Sequence, residues 1–169
     1  MIYFELFEIP VQLRVNTAAL SRKFFELSRK HHPDYVATED DATQTDALEK
    51  SALVNKAWKT FQSPEATMKY VLQEKGLLQE EEKYALPPAF LMEMMDLNES
   101  LMEADDEVAA NSIRATLQEL ETANYRPVKD IVEQYKEGVT TEKELLAVKE
   151  YYYKKKYLDR IRQQLTGMA

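Results

Sequence analysis

The 169-residue sequence contains no cysteine, two histidines and three glycines. Without cysteine, the chain has no disulfide, no thiolate zinc site, no cysteine-ligated iron–sulfur cluster and no cysteine nucleophile. The two histidines are adjacent, at His31 and His32. The chain therefore has few histidines with which to form a Ser-His-Asp triad or a multi-histidine metal site. Neither glycine-rich phosphate-binding motif occurs. We therefore expect no metal site and no cofactor.

Long apolar runs and an excess of positive charge are also absent. No apolar run approaches the ~18 residues of a membrane span, and the start of the chain lacks the basic region and apolar stretch of a secretion signal. The net charge of −8 is unfavourable for nonspecific nucleic-acid binding, because that binding depends on neutralising phosphates. We expect a cytoplasmic protein that binds neither nucleic acid nor membranes.

The negative charge is concentrated in one segment. Residues 77–107 contain ten acidic residues and one basic residue, a net charge of −9, whereas the other 138 residues together carry +1. The hydrophobic content of 44% is high enough for packed cores on either side of that segment.

Apolar residues recur at spacings of three and four, and no strand-like alternation is present, so the pattern predicts an all-α protein. Pro87 and Pro88 follow an acidic run, which indicates a linker at 77–88 between a helical domain at 1–76 and a three-helix bundle at 89–169. Asn16 or Thr17, Ser63, and a Thr141–Glu144 capping box are the expected helix starts. The predicted helices cover about 3–9, 17–30, 46–61, 64–76, 89–103, 107–137 (interrupted at Pro127) and 142–165.

The tripeptide His32-Pro33-Asp34 lies between a basic amphipathic helix and a polar loop. By itself it indicates only a helix end and a turn, since proline lacks an N–H and restricts the residue before it. Its polar side chains on a rigid turn would also suit docking to a partner. The preceding helix supports docking because it is rich in cations: Arg22, Lys23, Arg29 and Lys30.

Residues 1–75 resemble a J-domain. Five segments in the family's order carry the resemblance: Tyr3-Phe4-Glu5-Leu6-Phe7, Leu20-Ser21-Arg22-Lys23-Phe24, His32-Pro33-Asp34, Asn55 with Ala57 and Trp58, and Ser63-Pro64-Glu65. The resemblance implies four helices, with the tripeptide in the loop of an antiparallel hairpin. It also implies that the chain stimulates ATP hydrolysis by a DnaK-type chaperone, without being an enzyme itself. His32, Pro33 and Asp34 would then dock on the chaperone, and the four cations would meet an acidic groove there. Tyr35 departs from the lysine that usually follows the tripeptide.

Further segments resemble the HscB-type J-domain co-chaperones of iron–sulfur cluster assembly: Tyr3-Phe4-Glu5-Leu6-Phe7-Glu8-Ile9-Pro10, Ser51-Ala52-Leu53-Val54-Asn55-Lys56-Ala57-Trp58, Ala89-Phe90-Leu91-Met92-Glu93 and Tyr157-Leu158-Asp159-Arg160-Ile161. The resemblance implies two partners, a DnaK/HscA-type chaperone and an IscU-type iron–sulfur scaffold protein, and thus a role in the maturation of iron–sulfur proteins. The implied scaffold-binding residues are Leu91, Met92, Met95, Asp96, Glu99, Glu103 and Tyr157.

Residues 89–103 have more apolar side chains than one buried face requires. Phe90, Met94, Leu97 and Leu101 form a single stripe at helical spacing. The surplus indicates either an exposed patch for a partner or a helix buried on two sides. Two other functions stay open: a general J-protein that delivers different clients through its bundle, and an enzyme that uses acids such as Glu99 and Glu103.

Overall fold

The structure is a computed structural model that describes residues 1–167. Within that range every regular element is helical. The helices are α1 (Ile2–Leu6), α2 (Thr17–Lys30), α3 (Asp41–Phe61), α4 (Pro64–Glu74), α5 (Pro88–Glu103), α6 (Glu107–Tyr125), α7 (Lys129–Glu133) and α8 (Glu142–Gly167), with short 3-10 turns at Pro33–Val36 and Arg126–Val128.

The chain forms two compact units. The first unit is Met1–Gly76 together with Tyr135–Val139, and the second is Leu77–Gln134 together with residues 140–167. The short 135–139 segment joins the first unit, where Glu137 forms an ion pair with Lys75. That segment includes Gly138, directly after the predicted end of a helix at 137. The helix ends earlier, at Glu133, and Gly138 instead supplies a left-handed turn residue with φ of 78°.

The core of the first unit contains a cluster of aromatic rings. Phe61 of α3 contacts Phe4 and Phe7, with ring centroids 5.1 and 5.3 Å away. Trp58 stacks on Phe24 of α2 at 4.8 Å, which pairs α2 with α3. The expected caps form: Asn16 Oδ1 accepts from the Ala19 N–H at 3.3 Å, and Ser63 Oγ accepts from the Ala66 N–H at 3.1 Å.

Two predicted helix boundaries in the first unit are wrong. Helix α1 ends at Leu6 rather than near Ile9, because Glu8 adopts a left-handed φ of 55°. The Ile9 N–H then donates to the Phe4 carbonyl, which closes the helix end without glycine. Helix α3 begins at Asp41 rather than near Asp46, because the Asp40 side chain caps it by accepting from the Thr43 N–H at 2.8 Å.

The second unit packs α5, α6 and α8 around one apolar cluster. The predicted stripe of α5 is buried there, together with Ile113 and Leu117 of α6 and Leu158, Ile161 and Leu165 of α8. The predicted break at Pro127 is present as the 3-10 turn between α6 and α7. Thr141 and Glu144 form the predicted capping box, since the Thr141 N–H donates to Glu144 and the Glu144 N–H donates back to Thr141 Oγ1.

Residues 77–88 pack against α8 within the second unit. Lys149 Nζ lies 3.0 Å from Glu82 Oε1, as a hydrogen bond, and 2.8 Å from Oε2, as an ion pair. Tyr84 stacks on Tyr153 with ring centroids 4.6 Å apart. The hydrogen bond from Lys149 lowers the pKa of Glu82, while burial, followed by the nearby Glu82 charge, raises the pKa of Tyr153 to about 12.

The Glu82–Lys149 pair should make the second unit sensitive to acid. The pKa of Glu82 in the folded protein lies below its usual 4.5. The ionised carboxylate therefore stabilises the fold fully above pH 4.5, and this stabilisation is lost as the pH falls through the lower pKa of the folded protein. We expect Glu82→Gln to reduce the free energy of unfolding by ~1–3 kcal/mol at pH 7. The difference from wild type should shrink as the pH falls below 4.5, in urea titrations followed by circular dichroism. Glu119→Gln, at an exposed site on α6, is the control; a pH-independent deficit in Glu82→Gln would contradict this assignment.

Candidate partner-binding sites

The tripeptide forms a polar tip between α2 and α3. Backbone hydrogen bonds end α2 at His31, and Pro33 starts the 3-10 turn. The Asp34 N–H donates to His32 Nδ1 at 3.2 Å. Because Nδ1 accepts that bond, Nε2 is the hydrogen-bond donor of the neutral imidazole. The His32 and Asp34 side chains are both exposed, so the turn presents a donor and a carboxylate to a partner.

The four cations of α2 separate into two pairs. Arg22 and Arg29 are two helical turns apart on the outward face, and Arg22 is almost fully exposed. Lys23 lies on a different side of the helix, where its Nζ is 2.5 Å from Glu8 Oε2. Hydrogen bonding to Lys23 lowers the pKa of Glu8, and the charge of Lys30 contributes in the same direction. The arginine pair therefore lies on the outward face of α2, and the lysine pair lies toward Glu8.

Two exposed aromatic residues lie beside the tip, and the sequence pattern assigned neither of them to a site. Phe25 of α2 is 60% exposed and Tyr35 of the 3-10 turn is 69% exposed. The Tyr35 ring stands edge-on to the His32 ring, with centroids 6.4 Å apart. A shallow groove brings these rings together with the tip, and its lining is Phe25, Ser28, Arg29, His32, Asp34 and Tyr35.

Helix α5 has one buried face and one wide exposed face. Its four stripe residues, Phe90, Met94, Leu97 and Leu101, are all buried. Met92 and Met95 are 66% and 69% exposed, so the helix is not buried on two sides. Because a helix advances 100° per residue, Met92 and Glu99 point opposite the core stripe.

The two flanks of the exposed face differ in chemistry. Glu93, Asp96 and Glu103 line a groove bordered by Ile113 and Thr116 of α6, so that flank is acidic. The other flank is apolar, with the half-buried Leu91 and the exposed Met95. The exposed face thus has a methionine-rich strip beside a carboxylate strip, an arrangement suited to a partner that is apolar and basic.

Tyr157 of α8 lies next to the buried stripe of α5. Its ring is edge-on to Phe90 with centroids 6.3 Å apart, and the Arg160 guanidinium lies 5.3 Å from the Tyr157 centroid. Tyr157 packs against the core of the second unit but is not fully buried. The structure therefore brings it to α5, although it is 54 positions beyond the end of that helix.

Comparison with known proteins finds relatives that match nearly the whole chain. The chain is 31% identical, over 99% of its length and 96% of the relative's, to the co-chaperone protein HscB homolog of Photobacterium profundum. Residues 86–166 match the family described as the HSCB C-terminal oligomerisation domain. The chain belongs to the HscB co-chaperone family.

Solved HscB structures have the same fold. The chaperone HscB from Vibrio cholerae superposes with a TM-score of 0.74 at 26% identity, covering 98% of this chain and 96% of that one. The human co-chaperone protein HscB superposes with a TM-score of 0.77 at 28% identity, covering 97% of this chain and 80% of that one. The predicted fold class is confirmed: an all-α HscB fold with a J-domain and a C-terminal helical bundle.

Three features of this HscB family member bear on other kinds of function. Among residues 1–167, no helix has the length and hydrophobicity needed to cross a bilayer. The same residues contain no group of three or more side chains placed to hold a metal ion. Three tyrosines and three lysines follow one another near the middle of α8, at 151–156. This run is largely engaged within the fold, since Tyr151 and Tyr152 are buried and Lys155 pairs with Asp159 at 3.0 Å.

Proposed function

We propose that this protein stimulates the ATPase of a DnaK/HscA-type chaperone and delivers an IscU-type iron–sulfur scaffold protein to it. The observation that carries the proposal is the presence of two unlike exposed surfaces on one HscB-family chain. The first is the tip with His32 and Asp34 beside the Arg22–Arg29 face. The second is the methionine and carboxylate face of α5.

The tip supports docking to the chaperone through its geometry and charge. His32, Pro33 and Asp34 form a short ordered turn, so little conformational entropy is lost when a partner binds it. Arg22 and Arg29 favour an acidic partner surface and would increase the rate of encounter. Lys23 and Lys30 act from the side of the helix near Glu8, so we expect them to contribute less. Binding would favour the hydrolysing conformation of the chaperone through differential contacts.

The exposed face of α5 supports scaffold binding. Leu91, Met92 and Met95 provide adaptable apolar contact. Asp96, Glu99 and Glu103 provide negative charge next to it, which favours a basic scaffold surface and disfavours acidic clients. Tyr157 extends the same surface onto α8 through its contact with Phe90.

In this proposal the protein performs no chemistry itself. The acids of α5 are exposed, and no cluster of metal-ligand side chains accompanies them in residues 1–167. They therefore lack the buried surroundings that tune a carboxylate for acid–base catalysis. A cytoplasmic location stays a prediction from the sequence.

Synergy between the two partners is the test. We expect the purified protein to increase the steady-state ATPase rate of a DnaK/HscA-type chaperone, and to increase it further when an IscU-type scaffold is added. Because the two surfaces are separate, the protein can bind the chaperone and the scaffold at the same time. The stimulation with both proteins present should then exceed the sum of the stimulations by each alone by at least about threefold, which is a modest coupling between two binding sites. Stimulation without any scaffold effect would instead identify a general J-protein. No stimulation at any concentration would contradict the proposal as a whole.

A further inference from the structure

The groove beside His32 has an apolar wall made of two aromatic rings. Phe25 and Tyr35 are 60% and 69% exposed, although large apolar side chains are usually buried. Both belong to the same groove, which also contains the tip residues His32 and Asp34. Two exposed rings in one concave surface are more informative than a single exposed ring, because scattered exposed hydrophobic residues are common.

Phe25 has no role in the core of the first unit. It lies on the opposite side of α2 from the buried residues Leu20 and Leu27. Its ring contacts Phe24 at 5.6 Å between centroids, and more than half of the side chain is exposed. Arg22 precedes it by three residues and Arg29 follows by four, so the ring sits between the two outward arginines.

Tyr35 contributes the second ring that lines the groove. The backbone fixes it, since the Tyr35 N–H donates to the His32 carbonyl at 3.1 Å, and its ring lies edge-on to the imidazole. A tyrosine at this position presents a rigid aromatic surface, which gives contact area at low entropic cost.

We propose that Phe25 and Tyr35 bind an apolar side chain of the DnaK/HscA-type chaperone, one that is surrounded by carboxylates on the chaperone surface. This inference rests on the proposed function and adds the chemistry of the contact. Two observations select the occupant. The rings are continuous with the His32-Pro33-Asp34 tip. Arg22 and Arg29 lie on either side of Phe25 and favour an acidic partner surface, since Arg22 pairs with the exposed Glu26, 3.9 Å away, in a pair too exposed to neutralise this face.

The two kinds of contact would act on different steps. The arginines would increase the association rate and orient the complex, whereas the desolvated rings would slow dissociation. A chaperone without the matching apolar side chain would leave both rings in water, so Phe25 and Tyr35 would determine which chaperone the protein binds tightly.

The test compares the full-length wild type with the double variant Phe25→Gln, Tyr35→Gln, in titrations of ATPase stimulation and of direct binding by biolayer interferometry. Loss of the apolar contact should raise the half-maximal concentration about tenfold, the effect of ~1.4 kcal/mol, while maximal stimulation stays within about twofold. That ratio should persist at high salt, whereas the effect of Arg22→Gln should shrink because salt screens charges. Val108→Gln, at another exposed apolar site, should behave as wild type.

Each outcome bears on the proposal. A double variant that binds within about twofold of wild type, while His32→Gln abolishes stimulation, would overturn the role of the rings and leave the proposed function intact. A wild-type protein that neither binds nor stimulates the chaperone would overturn both. Loss of maximal stimulation without a change in half-maximal concentration would also overturn it, because a binding wall acts on affinity. Far-ultraviolet circular dichroism of the single and double variants confirms folding.

Discussion

His32→Gln is expected to abolish stimulation of the chaperone ATPase without unfolding the protein. The tip presents only a few side chains, and truncating a central contact in such a small interface typically costs ~2 kcal/mol or more, about thirtyfold in affinity. Glutamine has neither the ring nor the Nδ1 acceptor that receives the Asp34 N–H at 3.2 Å. The side-chain N–H that position 32 offers to a partner is then no longer oriented by the hydrogen bond from the Asp34 N–H.

The fold should survive this substitution. The His32 side chain is exposed and contributes nothing to the aromatic core around Phe61. The hydrogen bond from the Asp34 N–H closes only a single 3-10 turn, so its loss should cost no more than ~1 kcal/mol of stability. Urea denaturation curves of wild type and variant should therefore nearly coincide.

The adjacent histidine provides the matched control. His31 is at the end of α2, where its backbone N–H donates to the Leu27 carbonyl at 3.1 Å. His31 is the less exposed of the two histidines. Partial burial, then the charges of Lys30 and Lys50, lower its pKa. We expect His31→Gln to retain stimulation within about twofold. Equal losses in both variants would indicate a general effect on the hairpin, and normal stimulation by His32→Gln would refute the role of the tip.

The sequence predicted the elements whose cause is local. Phe90, Met94, Leu97 and Leu101 follow a helical period, and all four are buried. Ser63 before Pro64, and Thr141 with Glu144, form the expected caps because each uses only a neighbouring backbone N–H. These features need no knowledge of the distant chain.

The sequence did not predict two other features, because residues with the same pattern in the sequence can adopt different backbone conformations or make different contacts. Helix α1 ends through a left-handed Glu8, where glycine is the usual signal. Arg22 and Lys23 are adjacent cations that the sequence assigns to the same group. Only the structure shows that Lys23 forms an ion pair with Glu8, fifteen positions earlier. Phe25 is the exception, an apolar residue that was assigned to no motif and no apolar stripe. Its exposure follows from its angular position, three residues after Arg22, which a helical wheel of α2 would have shown.

The scaffold-binding face gives the second large expected effect. We expect Met92→Ala combined with Glu99→Lys to weaken binding of an IscU-type scaffold about thirtyfold or more, as measured by calorimetry. Both side chains lie opposite the buried stripe of α5, so they would be central to any partner on that face. Truncating an apolar anchor costs ~1–2 kcal/mol, and reversing a charge adds repulsion from a basic partner; together these exceed the ~2 kcal/mol that thirtyfold requires.

ATPase stimulation without scaffold should be unchanged in this variant, because Met92 and Glu99 belong to the second unit and the tip belongs to the first. The control is Val108→Ala combined with Glu119→Lys, which makes one apolar truncation and one charge reversal at exposed sites of α6. That control should retain scaffold affinity. If the α5 variant also retained it, the methionine and carboxylate face would not be the scaffold site. If scaffold binding were lost and the ATPase synergy disappeared with it, while stimulation by the protein alone persisted, delivery and activation would be separable properties of the two units.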